Sequence, residues 1–544
     1  MKKITFTSAF LFIIFSGLTL FTNAQGFSPS VQKKLQAVLD SFQNNTANPF
    51  IGGMSADIKV DGLAEWAGAT GFAARNVDES NNVIAGGTTF KVNTLSRIYS
   101  VTKTFTAPLV LELANEGAFK LTDLISKYIP VNAINPGLNS NVTIAQLLAH
   151  ESGYSDFTGE INLQIAVAAQ PTHVWLPYEM LSFVHQENPV GFVRKYSSTN
   201  YVLLGAIIET VTGKPVESLY RSRFFTPLGL KSMYFDVRET NPTNNVLASP
   251  HDNISPFNPV FQQTGQPTFP DAYTNISRFP YTAIASLGFT GGAIVSDIKD
   301  VAAWSSALFN GRATGKKILN TMMQSISSIP DEDGDRLGYG LFLSKKVTGN
   351  YDFYGHDGNA PGYRSVMFYQ PAKKLSLVIL TNYHGADIYA IAKALYNVIP
   401  DFACGGKDDK VKICFYGKPI CLPRFAASRL VVYGATLGGC DEKGWKNILE
   451  NSTLENSSHI STNVYPNPFT SSFTFSFNPA EAGNSIFKLY DMNGKVAATL
   501  FSGYAKKGVQ QSIHFDGSKL RPGIYVLRLQ TASGVSEQKV VKLP

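Results

Sequence analysis

The stretch from Thr102 to Glu116, Thr-Lys-Thr-Phe-Thr-Ala-Pro-Leu-Val-Leu-Glu-Leu-Ala-Asn-Glu, carries apolar residues at 105, 109, 110, 113 and 114 and stops at Gly117. That spacing predicts a helix with a core-facing stripe and a glycine terminator. A helix beginning at about Ser100 sets Ser100 and Lys103 one turn apart on one face, with the serine among the unpaired N–H groups of the helix start. A serine hydroxyl becomes a nucleophile when a neighbouring base takes its proton. A lysine is such a base only where burial or nearby positive charge lowers its pKa from about 10.4. Alone, the Ser-x-x-Lys spacing is unspecific. It also begins at Ser30, Ser296, Ser485 and Ser536, and its plain reading is an N-cap serine followed by a solvated lysine.

Met1 to Ala24 holds Lys2 and Lys3, an uncharged apolar run from Ala9 to Phe21, and Thr22-Asn23-Ala24 before Gln25, the pattern of a cleaved secretory signal. Neither this run nor any later one reaches the roughly 20 residues that span a bilayer, so a soluble, exported protein is expected. A length of 544 residues predicts several domains, and 44% hydrophobic with 12% aromatic residues is enough for real cores. Removal of Lys2 and Lys3 takes the formal charge from +7 to +5. The remaining charges are scattered, which gives no nucleic-acid or membrane footprint. Cys404, Cys414, Cys421 and Cys440 crowd into one segment. In an exported protein they predict two disulfides, with three pairings open, and a zinc site is the alternative although no Cys-x-x-Cys pair is present.

Further along the chain, Phe50 to Phe72 alternates in short β-rich runs around Asp61-Gly62, a hairpin signal. From Leu121 the pattern is mostly helical. Tyr196 precedes Ser197, Ser198, Thr199 and Asn200 and an apolar helix, where a packed phenol and capping hydroxyls are the simple expectation. Asp236 to Tyr281, rich in Pro and Asn and without periodicity, reads as a long ordered loop. Gly288-Phe289-Thr290-Gly291-Gly292 precedes another helix, and His356-Asp357-Gly358 precedes two strands, Val366 to Tyr369 and Leu375 to Asn382. A glycine after the histidine lets a ligand approach the strand backbone closely.

In this order, Ser100-Val101-Thr102-Lys103, Tyr196-Ser197-Ser198 and His356-Asp357-Gly358 resemble the three motifs of the serine β-lactamase-related hydrolases. The closest branch holds class C β-lactamases, D-alanyl-D-alanine carboxypeptidases, esterases and aminopeptidases. Leu147-Leu148-Ala149-His150-Glu151-Ser152-Gly153, Pro227-Leu228-Gly229-Leu230 and Tyr201-Val202-Leu203-Leu204-Gly205 agree with it. The resemblance implies an α/β (α+β) domain over 28–400, an antiparallel sheet flanked by helices, with a helical subdomain. It implies Ser100 as the acylated nucleophile, Lys103 and Tyr196 as the pair handling its proton, and His356 and Gly358 on an edge strand lining the cleft. The N–H groups of Ser100 and Asn359 would form the oxyanion hole, worth about 10²- to 10³-fold in rate for one donor. Ser198 departs from the family, which has an amide there. A hydroxyl reaches less far, and one lost hydrogen bond costs about 1–3 kcal/mol.

Residues 401–440 resemble a small cysteine module of secreted Bacteroidetes proteins, without the histidines that module usually has between its cysteines. A polar linker is expected over 441–463. Residues 464–544 alternate in short strands, which predicts an antiparallel β-sandwich of about 80 residues. They resemble the C-terminal sorting domain of the type IX secretion system, with a carbohydrate-binding module as the alternative. The expected protein is an exported serine hydrolase working through a Ser100 acyl-enzyme on a β-lactam or D-amino-acid peptide, such as one derived from peptidoglycan. An esterase with the same serine and a non-catalytic binding protein are the alternatives. No metal or organic cofactor is implied, the partners are the small substrate and the type IX machinery, and a monomer is expected.

Overall fold

The computed structural model describes residues 26–440, apart from 46–48, 406–408, 416–417 and 433, and residues 461–542, apart from 468, 480, 492–495, 522 and 532–533. The expected signal, 1–24, and all but the last residues of the expected linker lie outside the described residues.

The frame of the larger region is an antiparallel sheet of eight strands. These are β1 (Gly53–Val60), β2 (Ala64–Val77), β3 (Val83–Thr89), β4 (Arg336–Leu337), β5 (Phe342–Ser344), β6 (Phe353–Ala360), β7 (Tyr363–Gln370) and β8 (Leu375–Thr381), in the order β3-β2-β1-β8-β7-β6-β5-β4. The hairpin read around Asp61-Gly62 is the β1–β2 turn, where Gly62 has φ +70°. Two strands far apart in sequence, β1 and β8, meet at the centre, Met54 opposite Thr381 through Val60 opposite Leu375. Every residue of β8 is buried. Side chains alternate across a strand, so Val378 and Leu380 enter one core and Leu375, Leu377 and Ile379 the other.

The first core holds α2 (Lys103–Asn115), α3 (Ser198–Thr212), α4 (Thr282–Gly292) and α5 (Ile298–Phe309). The ring of Phe105 on α2 stacks on Trp304 of α5 at 3.8 Å, and the Trp304 indole donates to Thr104 Oγ1 at 2.8 Å. The second core lies on the opposite face, under α1 (Pro29–Gln43) and α6 (Ile388–Val398). Helices thus cover both faces of the sheet. The stretch 236–281 is more ordered than the loop expected from its composition. It contains the helix Asn258–Thr264 and packs Ile254, Phe261, Phe269, Ile276 and Phe279 into a small cluster with Ala168.

Cys404 bonds Cys421 and Cys414 bonds Cys440, which selects one of the three pairings and leaves no thiolate for zinc. The segment that they staple holds β9 (Lys410–Phe415), β10 (Lys418–Pro423) and α7 (Arg424–Val432), and its Val411, Ile413, Ala427 and Val431 belong to the second core. Arg424 donates to the carbonyls of Asp61 and Lys373, and the Leu437 N–H donates to the Gly26 carbonyl.

Beyond the linker the strands form two antiparallel sheets, one of three and one of four strands. They enclose Phe473, Phe475, Phe477, Phe487, Leu489, Leu527 and Leu529, the sandwich read from the alternation. Among the described residues no helix is long and apolar enough to cross a membrane.

Replacing Cys414 and Cys440 by serine removes a cross-link between positions 26 residues apart, and should lower unfolding stability by about 2–4 kcal/mol. Thermal or denaturant melting checks this; an unchanged midpoint would assign the hold to packing alone.

Candidate active site

The chain enters the site from the short strand Ser96–Arg97, whose neighbour Ile98 donates its N–H to the Ile294 carbonyl. It then turns through a 3₁₀ segment, Tyr99–Thr102, and α2 begins only at Lys103. The helix expected from Ser100 therefore starts tighter than an α-helix. Ser100 and Lys103 still lie one turn apart, with the Lys103 Nζ 2.9 Å from the Ser100 Oγ. Tyr99 reaches φ +43°, in the left-handed region that costs a non-glycine residue about 1–3 kcal/mol.

Lys103 is fully buried. Its ammonium donates to the Gly291 carbonyl at 2.8 Å as well as to Ser100, and lies 3.5 Å from the Ser198 Oγ. The rings of Tyr196 and Tyr201 face it at 5.1 and 5.6 Å. Desolvation pulls its pKa down from 10.5 to about 7, against the fields of Asp156 and Asp357, which act to raise it. Burial wins, so the condition that the sequence set for a lysine base is met by loss of water.

Tyr196 comes from the turn before α3 and donates its phenol to the Ser100 Oγ at 2.7 Å. Burial raises its pKa well above 10, so it is a neutral donor. Beneath it lies His150, stacked on Tyr196 at 4.7 Å and on Tyr201 at 5.1 Å, with its Nδ1 accepting the Ser197 N–H at 3.1 Å. Burial holds His150 neutral, well below the usual histidine range. Ser198 is in place, and its 3.5 Å separation from Lys103 shows how little of an amide's reach a hydroxyl replaces. Asn200 does not substitute for it, because its side chain accepts from Ser152 at 2.6 Å in the scaffold behind.

On the other side stands β6. The His356 ring packs on Phe342 at 4.0 Å and lies 5.9 Å from Tyr196. Its Nδ1 is 2.6 Å from the Asp357 carbonyl, which fixes the proton there and leaves Nε2 as an acceptor, buried and without a partner among the described residues. Burial and Lys103 keep it neutral. Gly358 is required: a Cβ there would lie 2.3 Å from the Ile98 carbonyl. Asn359, opposite Arg364, has an exposed side chain.

Sequence reasoning missed three contributors. The Gly291 carbonyl is backbone and leaves no side-chain signature, although the Gly-rich run around it was visible; Phe289 at φ +33° makes the kink that turns it inward. His150 stood inside a quoted phrase without a role. Asp156, whose carboxylate accepts the Ser198 N–H at 3.0 Å, carried no pattern.

The folded lysine binds fewer protons than the unfolded one between about pH 7 and 10.5, so folding gains stability as pH rises through that window and carries the full burial cost below it. Lys103→Met should therefore melt higher than the parent at pH 6 and show no advantage by pH 11. Melting curves across pH check it; equal melting at pH 6 would contradict the desolvation argument.

Residues 51–396 match the family described as Beta-lactamase, and residues 463–543 match a secretion system C-terminal sorting domain. The sorting domain is of type IX and marks the protein for export to the cell surface or beyond. Penicillin-binding protein 4 of Amycolatopsis lactamdurans is 27% identical over 310 residues, 56% of this chain and 76% of the relative. The solved D-stereospecific amidohydrolase of a Streptomyces species is 25% identical with a TM-score of 0.53, over 68% of this chain and 98% of that one. The D-amino acid amidase of Ochrobactrum anthropi SV3 complexed with D-phenylalanine superposes with a TM-score of 0.55 at 24% identity, over 68% and 98%, a likeness of fold. With a family match spanning well over half its length, the chain belongs to the beta-lactamase family of hydrolases.

Proposed function

We propose that the protein is an exported serine hydrolase that acylates itself on Ser100 and cleaves the amide C–N bond of D-amino-acid peptides or β-lactams. The observation that carries this reading is the Ser100 hydroxyl held between Lys103 at 2.9 Å and Tyr196 at 2.7 Å, with the lysine pKa brought to about 7. Neutral Lys103 takes the Ser100 proton as the Oγ attacks the carbonyl carbon. The N–H groups of Ser100 and Asn359 hold the resulting oxyanion. Tyr196, which donates to the Oγ at 2.7 Å, gives its proton to the departing nitrogen, and the proton taken up by Lys103 restores the phenol. Water then releases the acyl group. The stereochemical preference is supported by the relatives, whose names carry D-stereospecific and D-amino acid amide hydrolysis.

Intact-protein mass spectrometry after exposure to a penicillin, beside turnover of a D-amino-acid amide and an aryl ester, tests it. Adduct or turnover should vanish in Ser100→Ala, and the absence of any Ser100-dependent reaction would reject the reading. Because the base works only when deprotonated, kcat/KM should rise with pH and level off above about 7. A rate flat from pH 5 to 9 would exclude Lys103 as that base.

Esterase activity is the second reading, favoured by one observation: Ser198 offers a distant hydroxyl where an amide would reach both Lys103 and a substrate amide. Ser198→Asn should raise the amide-to-ester ratio of kcat/KM by about tenfold, within the range of one hydrogen bond. A ratio unmoved by the substitution would remove Ser198 as the discriminating position.

A further inference from the structure

The turn between β6 and β7 is fastened to the nucleophile turn by groups outside the reacting set. Tyr281 donates its phenol to the Pro361 carbonyl at 2.5 Å and is itself bonded to the Tyr99 phenol. Each phenol carries one proton, so the order is Tyr99 to Tyr281 to Pro361. Tyr99 is buried and Tyr281 partly so, and desolvation raises both pKa values beyond any working pH, which keeps both protons in place. The Arg97 guanidinium lies over the Tyr281 ring at 4.3 Å and donates to Asp236 and to the Tyr363 hydroxyl, each at 2.6 Å. Tyr363 passes its own proton to the Ala248 carbonyl. At the same turn the Gly362 N–H donates to Asp252 at 2.8 Å. Farther along β7, the Ser365 Oγ donates to the Ile98 carbonyl at 2.8 Å.

The two ends of this chain of bonds are informative. Tyr99 directly precedes Ser100 and sits in a strained conformation, while Pro361 follows Asn359 by two residues. We infer that the Tyr99–Tyr281–Pro361 hydroxyl relay is a positioning device that fixes the spacing between the Ser100 and Asn359 N–H groups, with Tyr281 as its central residue. The inference rests on the proposed oxyanion role of those two groups. The bond between the two phenols also explains why Tyr99 keeps its unfavourable φ: its ring is held at 6.1 Å from Tyr363 and its hydroxyl is tied to Tyr281.

Tyr281→Phe keeps the ring under Arg97 and removes only the relay. The test compares parent and variant on a matched aryl ester and thionoester. An oxyanion hole favours developing charge on oxygen over sulfur, so loss of its geometry lowers the oxo rate more than the thiono rate. Tyr281→Phe should lower kcat on the ester by about tenfold with KM within twofold, and shrink the oxo-to-thiono ratio by a similar factor; complete loss of a donor costs about 10²- to 10³-fold. A drop in both rates with the ratio unchanged would mean a structural role and overturn the inference, as would an unaltered kcat. Tyr99→Phe, which removes the first proton of the relay, gives the same readout should the first variant fail to fold. A parent enzyme with no Ser100-dependent ester turnover would reject the functional reading itself, a result distinct from an unchanged ratio in a working enzyme.

Discussion

A lysine side chain without access to water is the constraint on which this molecule turns. An ammonium group in a protein interior is disfavoured unless partners replace its hydration. Here the replacements are sparse: one backbone carbonyl, one serine hydroxyl at full strength, and the faces of two tyrosines. That is too little to restore the solution pKa and enough to keep the group folded in. The surrounding architecture sustains the shortfall. The stack of Phe105 on Trp304 and the bond from that indole to Thr104 lock the first turns of α2 into the core, so Lys103 has no route to solvent by fraying. The kink at Phe289 brings in the Gly291 carbonyl from a different helix.

The sheet separates two sets of duties. His356, Gly358 and Ser365 face the Tyr99–Thr102 turn, whereas Asp357 points to the opposite layer, where the Tyr389 phenol of α6 donates to its carboxylate. The charge of Asp357 nonetheless reaches Lys103 through the sheet and opposes its deprotonation. The helix-side Asp156 acts in the same direction while capping Ser198. The low pKa of Lys103 is thus a balance among a core, a loop and the far face of a strand.

Much of the site was legible because its chemistry is local. Ser100 and Lys103 are one turn apart whatever helix type joins them, and Tyr196 and His356 sit in short motifs whose side chains carry the signal. The partners that tune them were not legible, for a physical reason. Gly291 acts through a carbonyl, His150 through stacking, and the Tyr99–Tyr281 contact through two residues 182 positions apart. Such pairs are created by the fold. The strand identities of β7 and β8 followed from composition, but their register, and that of β1 against β8, depends on contacts closed across the whole domain. Similarly, cysteine spacing left three pairings open, and only the packing of β9 and β10 chooses between them.

Gly358 rests on the Ile98 carbonyl with room for a hydrogen and none for a methyl group. The strand is therefore set at its minimum distance from the Tyr99–Thr102 turn and cannot be moved inward or rebuilt by a side chain at that position. Any change in what the site admits is thereby displaced to positions other than 358. A chain that keeps this contact keeps the strand and the Tyr99–Thr102 turn at one separation, whatever else changes around them.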